Sequence, residues 1–171
     1  MMRNAWSGIL AIVGGLWLIV LAGLPLYVFP AVDDVAPSDV ALVLGPPMEE
    51  RLALAAQLRD DGVVQRIVVS VQPAGGQTAD DIPLCDEASV TCAVADPYST
   101  RGETQLVDAG ESVIVITSTP HVTRARYLFD KCHAGGVAVV AAGGPETFSA
   151  WASQYAYQSA AFVKAIAQPC P

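Results

Sequence analysis

Basic charge is scarce in this chain: nine lysines and arginines stand against 17 aspartates and glutamates, a formal net charge of −8. Such a balance repels polyanions, and no basic stripe interleaved with aromatics is present. Both features argue against nucleic-acid binding and against polybasic attachment to anionic lipid. Histidine is scarcer still, with only two, and the four cysteines lack a paired Cys-x-x-Cys spacing that either histidine could extend. A zinc site is thus the weaker reading of the cysteines, and no metal or other cofactor is expected. The Gly-x-Ser-x-Gly elbow of a serine hydrolase is missing too.

The most telling absence is local. Residues 6–29 contain no charged side chain, and a helix of roughly 24 residues rising about 1.5 Å per residue spans a hydrocarbon core of about 30 Å. Trp6 and Tyr27 stand where interfacial aromatics belong, and Pro25 kinks or ends the helix. Arg3 precedes the block, while Asp33 and Asp34 lie beyond it. The positive-inside bias therefore leaves residues 1–5 in the cytoplasm and sends the remainder across the plasma membrane. Ala11 and Gly15 form a small-xxx-small pair suited to helix association. A cleaved signal peptide is the alternative, but the block exceeds an h-region of about 7–15 residues and lacks an Ala-x-Ala site. Either outcome exports the rest of the chain, a short linker over residues 30–38 and one domain over residues 39–171.

All four cysteines lie in that domain. An even number in an exported chain points to disulfides, and of the three pairings Cys85 with Cys92 and Cys132 with Cys170 are favoured.

The domain reads as α/β. Strands are expected over 40–44, 66–71, 113–117 and 137–141, and helices over 49–61, 99–109, 122–132 and 148–167. The stretch 72–98 between them has no regular pattern. Strands alternating with helices predict a three-layer, Rossmann-like, mostly parallel sheet. Ligands of such sheets bind beyond the carboxyl ends of the strands.

Three segments at those ends carry chemistry. Gly45-Pro46-Pro47 leads to Arg51 and reads either as a rigid turn or as a weak anion loop, because prolines offer no N–H. Thr100-Arg101-Gly102-Glu103 fits a capping box as well as it fits a functional acid. The richest segment is residues 117–125, where Ser118 ends a strand, Thr119 and Pro120 open a helix, and His121 and Arg124 share one face. A helix N-terminus beside an arginine fork suits a phosphate or carboxylate, and that field disfavours an imidazolium, leaving His121 as a neutral base or hydrogen-bond donor. His133, near a helix end, reads as a favourable terminal charge.

The motif Thr117-Ser118-Thr119-Pro120-His121-Val122-Thr123-Arg124-Ala125 resembles the Thr-Ser-Pro-Phe-His-x-x-Arg-Ala signature of the YdcF-like family, the SanA- and ElyC-related bacterial cell-envelope proteins. Asp39 to Gly45 is similar to the family's opening strand and Gly loop, and Arg51 and the block Arg66 to Ser70 resemble the next two elements. The cysteine-containing insertion resembles that of actinobacterial members. The chain departs from the family in having Val71 where Gly usually follows Ser70, an acidic Glu103 displaced by one position, and Tyr157-Gln158 where a Glu is common.

The resemblance implies a Rossmann-like sheet and a role in envelope biogenesis or barrier integrity, with peptidoglycan or lipid-linked glycan precursors as ligands. The expected site has His121, Glu103 and Ser118 as candidate catalytic groups and Gly45, Arg51, Ser70, Thr100 and Arg124 as ligand contacts. A non-enzymatic envelope scaffold is the alternative, as is an S-adenosylmethionine or nucleotide binder if the topology is reversed.

Overall fold

The structure, a computed structural model, describes residues 13–15 and 17–171. Arg3, Trp6 and Ala11, and so the start of the expected membrane span, lie outside the described residues. Residues 17–23 are helical and pass into a π-helical turn, Leu24–Val28, with Pro25 in its opening turn. Among the described residues no helix is long and apolar enough to cross a membrane.

The domain is built on five parallel strands: β1 (Ser38–Val43), β2 (Val64–Ser70), β3 (Val90–Ala93), β4 (Val113–Thr117) and β5 (Val137–Ala141), in the order β3-β2-β1-β4-β5. The helices are α1 (Glu49–Asp60), the single turn α2 (Thr100–Glu103), α3 (Val122–Cys132) and α4 (Phe148–Ala167). Four strands and three helices fall where expected to within two residues. The two differences are β3, which occupies part of the stretch without a regular pattern, and α2, which stops after one turn instead of running to residue 109.

Both differences have local causes. Thr91 is exposed and its neighbours in β3 only half-buried, so this edge strand shows no run of apolar residues and is held by its parallel pairing to β2. In α2, Gly102 packs against the preceding backbone so closely that an added Cβ would lie 2.0 Å from the Pro97 carbonyl oxygen. That contact fixes the turn, while glycines 102 and 110 deprive a longer helix of propensity.

β1, β4 and the second half of β2 are buried on both faces, which is why they read as apolar runs. Ala41, Val43, Ile67, Val69, Ile114 and Ile116 point to the face covered by α1, through Ala55 and Leu58. Val40, Leu42, Val68, Val113 and Val115 point to the other, against Val122, Ala125 and Phe129 of α3. The sheet is therefore sandwiched, and its strand order reverses between β1 and β4. Gly62, at φ +71°, ends the α1 connection in a conformation open to glycine.

Cys85 is bonded to Cys92, and Cys132 to Cys170, leaving no free cysteine. Residues 30–38 are not a loose connection. The Asp33 N–H donates to the Val139 carbonyl at 3.0 Å, its carboxylate accepts from the Val139 N–H at 2.7 Å and pairs with Arg126, and Arg126 also donates to the Ala31 carbonyl. Burial opposes ionisation of Asp33, but the Val139 amide and Arg126 outweigh it and hold the carboxyl below its usual range.

Candidate functional site

A cavity of about 750 Å³ opens at the carboxyl ends of β1 and β4, where the strand order reverses. Crevices at such switch points are where open α/β sheets take ligands. Gly45, Arg51, Thr100, Glu103, Ser118, His121 and Arg124 all line it, seven of the eight residues expected to form the site. Ser70 does not. It lies at the end of β2 with no exposed surface, and its Oγ, although near Glu103, has no partner at hydrogen-bonding geometry.

The Thr-x-x-Glu pattern does not cap α2. Ser99 is the N-cap and accepts from the Gly102 N–H, which frees Thr100 and Glu103 for the cavity. Glu103 is buried and accepts the Gly45 N–H at 2.7 Å, joining α2 to the loop after β1. Burial lifts its carboxyl above the ordinary range, against the lowering effects of the Gly45 amide and Arg124. Across that loop Arg51 donates through Nη1 to the carbonyls of Pro46 at 2.8 Å and Leu44 at 3.3 Å, and its buried Nε has no partner.

His121 lies in a 3₁₀ turn, Thr119–His121, just before α3 rather than inside the helix. Both ring nitrogens meet threonines: Nδ1 is 2.8 Å from Thr117 Oγ1, and Nε2 is 3.3 Å from Thr100 Oγ1. Arg124 Nη1 donates to the same Thr100 oxygen at 3.3 Å. A guanidinium can only donate, so the Thr100 hydroxyl proton is free for His121 Nε2 or for Glu103. Ser118 lines the cavity but makes no bond to the imidazole, whose two nitrogens both meet threonines.

Burial, followed by the charges of Arg124 and Arg51, pushes the His121 pKa well below its usual value, so the ring is neutral. This has a consequence for stability. The unfolded chain takes up a proton below about pH 6.5 that the native His121 refuses, so stability falls as pH drops through and below that value. Glu103 acts in the opposite sense, since its raised pKa favours the native state as pH falls toward the unfolded carboxyl value. The difference between wild type and His121→Gln isolates the imidazole. Urea titrations between about pH 7.5 and 5, a window that brackets the free imidazole value, are expected to show a shallower loss of stability on acidification for the variant; equal slopes would mean the ring protonates without penalty.

Two groups escape a reading of the sequence. Thr117 lies inside the motif without a role that its residue type announces, and it holds the Nδ1 side of His121. Gln158 reads only as a missing carboxylate, yet it is buried and its Oε1 accepts from Arg124 Nε at 2.8 Å. Gln154 extends this chain, accepting from Gln158 Nε2 at 3.1 Å, while the Tyr157 ring centroid lies 5.8 Å from the Arg124 guanidinium carbon. Gln158 is a neutral acceptor, so the carboxylate that acts on Arg124 is Glu103, beyond salt-bridge distance.

Among the described residues the ion pairs engage Arg59, Arg66 and Arg126, and neither Arg51 nor Arg124 has a carboxylate within 4.0 Å. These two are nevertheless the buried arginines. Arg101 and Lys164 also reach the cavity, so it concentrates positive charge in a chain that is acidic overall. Among the described residues no cluster of His, Cys, Asp and Glu could hold a metal ion. No protein-family model matches the chain, and neither a curated protein nor a solved structure matches it significantly.

Proposed function

We propose that this is a membrane-anchored, exported cell-envelope protein of the YdcF-like type whose cavity binds a phosphorylated or carboxylated envelope precursor, a glycan or lipid-linked intermediate. One observation carries the reading: two buried guanidiniums line a single cavity with no carboxylate in salt-bridge contact, Glu103 acting on both only from beyond 4.0 Å. A buried charge left unpaired costs several kcal/mol, and an anionic ligand offsets that cost with charge-assisted, bidentate hydrogen bonds. Gln158 and Thr100 hold the Arg124 fork, Pro46 and Leu44 hold Arg51, and Glu103 with Thr100 supplies the group able to exchange a proton with the ligand.

Export is supported by the cysteines, all of which are paired. Disulfides persist in oxidising compartments, outside the reach of cytosolic S-adenosylmethionine. Thiol labelling of intact cells is expected to find no reactive cysteine until a reductant is added. Free, membrane-protected thiols would overturn the orientation and favour the reversed topology.

The site itself is tested on the full chain in detergent with inorganic phosphate and pyrophosphate. Both anions are expected to raise the melting temperature of the wild type but not of Arg51→Gln/Arg124→Gln. Loss of complementation by His121→Ala and Arg124→Ala in a deletion strain is the cellular counterpart. The reading fails if the anions bind the double variant as well as the wild type, or if both alanine variants complement fully.

A further inference from the structure

We infer that the cavity takes its anion as part of a sugar phosphate, with the sugar ring lying on Tyr98. The inference rests on the anion-binding reading and names the body of the ligand held there, a saccharide rather than a lipid tail.

An oxyanion is about the size of two or three water molecules, at about 30 Å³ each, and fills on the order of a tenth of a cavity of about 750 Å³. Most of the space is therefore left for whatever the anion is attached to. The wall away from the arginines shows what that can be. Among the described residues that line the cavity Leu128 is the one large aliphatic side chain, and Ala160, Ala161 and Ala165 add only methyl groups. An acyl or polyprenyl chain finds too little apolar surface there to hold it. What the wall offers instead is an aromatic ring and neutral amides.

Tyr98 is 47% exposed, yet its hydroxyl end reaches the centre of the site. A Cβ added to Gly45 would lie 3.3 Å from Tyr98 Oη and 3.4 Å from Glu103 Oε1, and the Gly45 N–H donates to that same Glu103 oxygen. Burial, then the Glu103 charge, pushes the phenol above its usual value, so the hydroxyl keeps its proton. The tip of Tyr98 thus lies beside the group able to exchange a proton, while much of the ring stays uncovered. The other tyrosine of the cavity, Tyr157, is already engaged by the Arg124 guanidinium.

Gln72 and Gln154 line the same cavity. Gln72 donates through Nε2 to Gln77, and Gln154 accepts through Oε1 from Gln158, each at 3.1 Å. Among the described residues this leaves an acceptor, Gln72 Oε1, and a donor, Gln154 Nε2, without partners. A pyranose has an apolar C–H face and a rim of hydroxyls that both donate and accept. It matches an uncovered aromatic ring accompanied by one free acceptor and one free donor.

The test titrates the full chain in detergent with inorganic phosphate, glycerol 3-phosphate, glucose 1-phosphate and uridine 5′-monophosphate. Covering one face of a sugar with an aromatic ring is expected to make glucose 1-phosphate bind about tenfold tighter than inorganic phosphate or glycerol 3-phosphate. That preference should vanish in Tyr98→Ala and persist in Tyr98→Phe, with far-UV circular dichroism confirming that both variants fold. Equal affinity for glucose 1-phosphate and glycerol 3-phosphate, or a preference that survives in Tyr98→Ala, overturns the sugar contact and leaves the anion site standing. A preference lost equally in Tyr98→Phe assigns the effect to the hydroxyl and overturns stacking on the ring. If uridine monophosphate binds tighter than glucose 1-phosphate in a Tyr98-dependent way, the ring serves a nucleobase and the proposal falls. Binding of none of the four sinks the anion reading and the sugar contact with it.

Discussion

Phosphate affinity of a Gln158→Glu chain is expected to fall on the order of a hundredfold, with the fold intact. In the native chain the amide oxygen of Gln158 orients Arg124 through Nε at 2.8 Å but leaves its charge free for a ligand. A carboxylate in the same place keeps the hydrogen bond and adds a negative charge that both neutralises the guanidinium and repels the incoming anion. With an effective dielectric near 20, a charge about 5 Å away contributes about 3 kcal/mol, which is the hundredfold. Gln158→Leu is the complementary control: it leaves the charge but removes the orienting bond, so its loss should be smaller and should appear without a change in the charge selectivity of the site. Isothermal titration with inorganic phosphate measures both. An unchanged affinity in Gln158→Glu would mean that Arg124 does not hold the anion.

The second large effect concerns the disulfides. The Cys132–Cys170 bond joins residues 38 apart and the Cys85–Cys92 bond residues 7 apart. Restriction of the unfolded chain is worth about 4 and about 2.5 kcal/mol respectively on the loop-closure estimate. Against a total stability of about 5–15 kcal/mol, the paired changes Cys132→Ser/Cys170→Ser should be severe and Cys85→Ser/Cys92→Ser milder. Urea unfolding midpoints should rank the chains in that order. The longer bond also secures the C-terminal tail, where Lys131 Nζ donates to the carbonyls of Ala165 at 3.2 Å and Gln168 at 2.6 Å and Arg101 donates to Pro169 at 3.0 Å. Equal midpoints for the two paired variants would show that the tail is held by these contacts and not by the disulfide.

Legibility in the sequence has a physical pattern. Strands buried on both faces announce themselves, so β1, β2, β4 and β5 are legible from apolar runs bounded by Gly and polar residues. β3 is not, because an edge strand of four residues with an exposed Thr91 has nothing in its own sequence to set it apart from a loop; its identity comes from β2. The site is legible where a residue type is costly to bury, as with Arg51, Arg124 and His121. Thr100 and Glu103 are ambiguous because the same spacing serves a helix cap, and it is the cap supplied by Ser99 that shows they do not cap the helix. Gln158 is invisible as a partner of Arg124: glutamine on a helix reads as surface until the arginine opposite it is placed. Ser70 shows the reverse error, since a hydroxyl at a strand end looks available but lies beneath the cavity.

The clasp at Asp33 sets the working range of this protein. A flexible segment of nine residues would let a domain wander by about 15–18 Å from its point of attachment. With Asp33 bound on both its backbone and its carboxylate to the β5 strand and Arg126, that freedom is gone. If the chain is anchored as proposed, the cavity keeps one height above the bilayer and can meet only what diffuses past at that height. Search then becomes two-dimensional, and ligands embedded farther out in the envelope are beyond reach however well they fit.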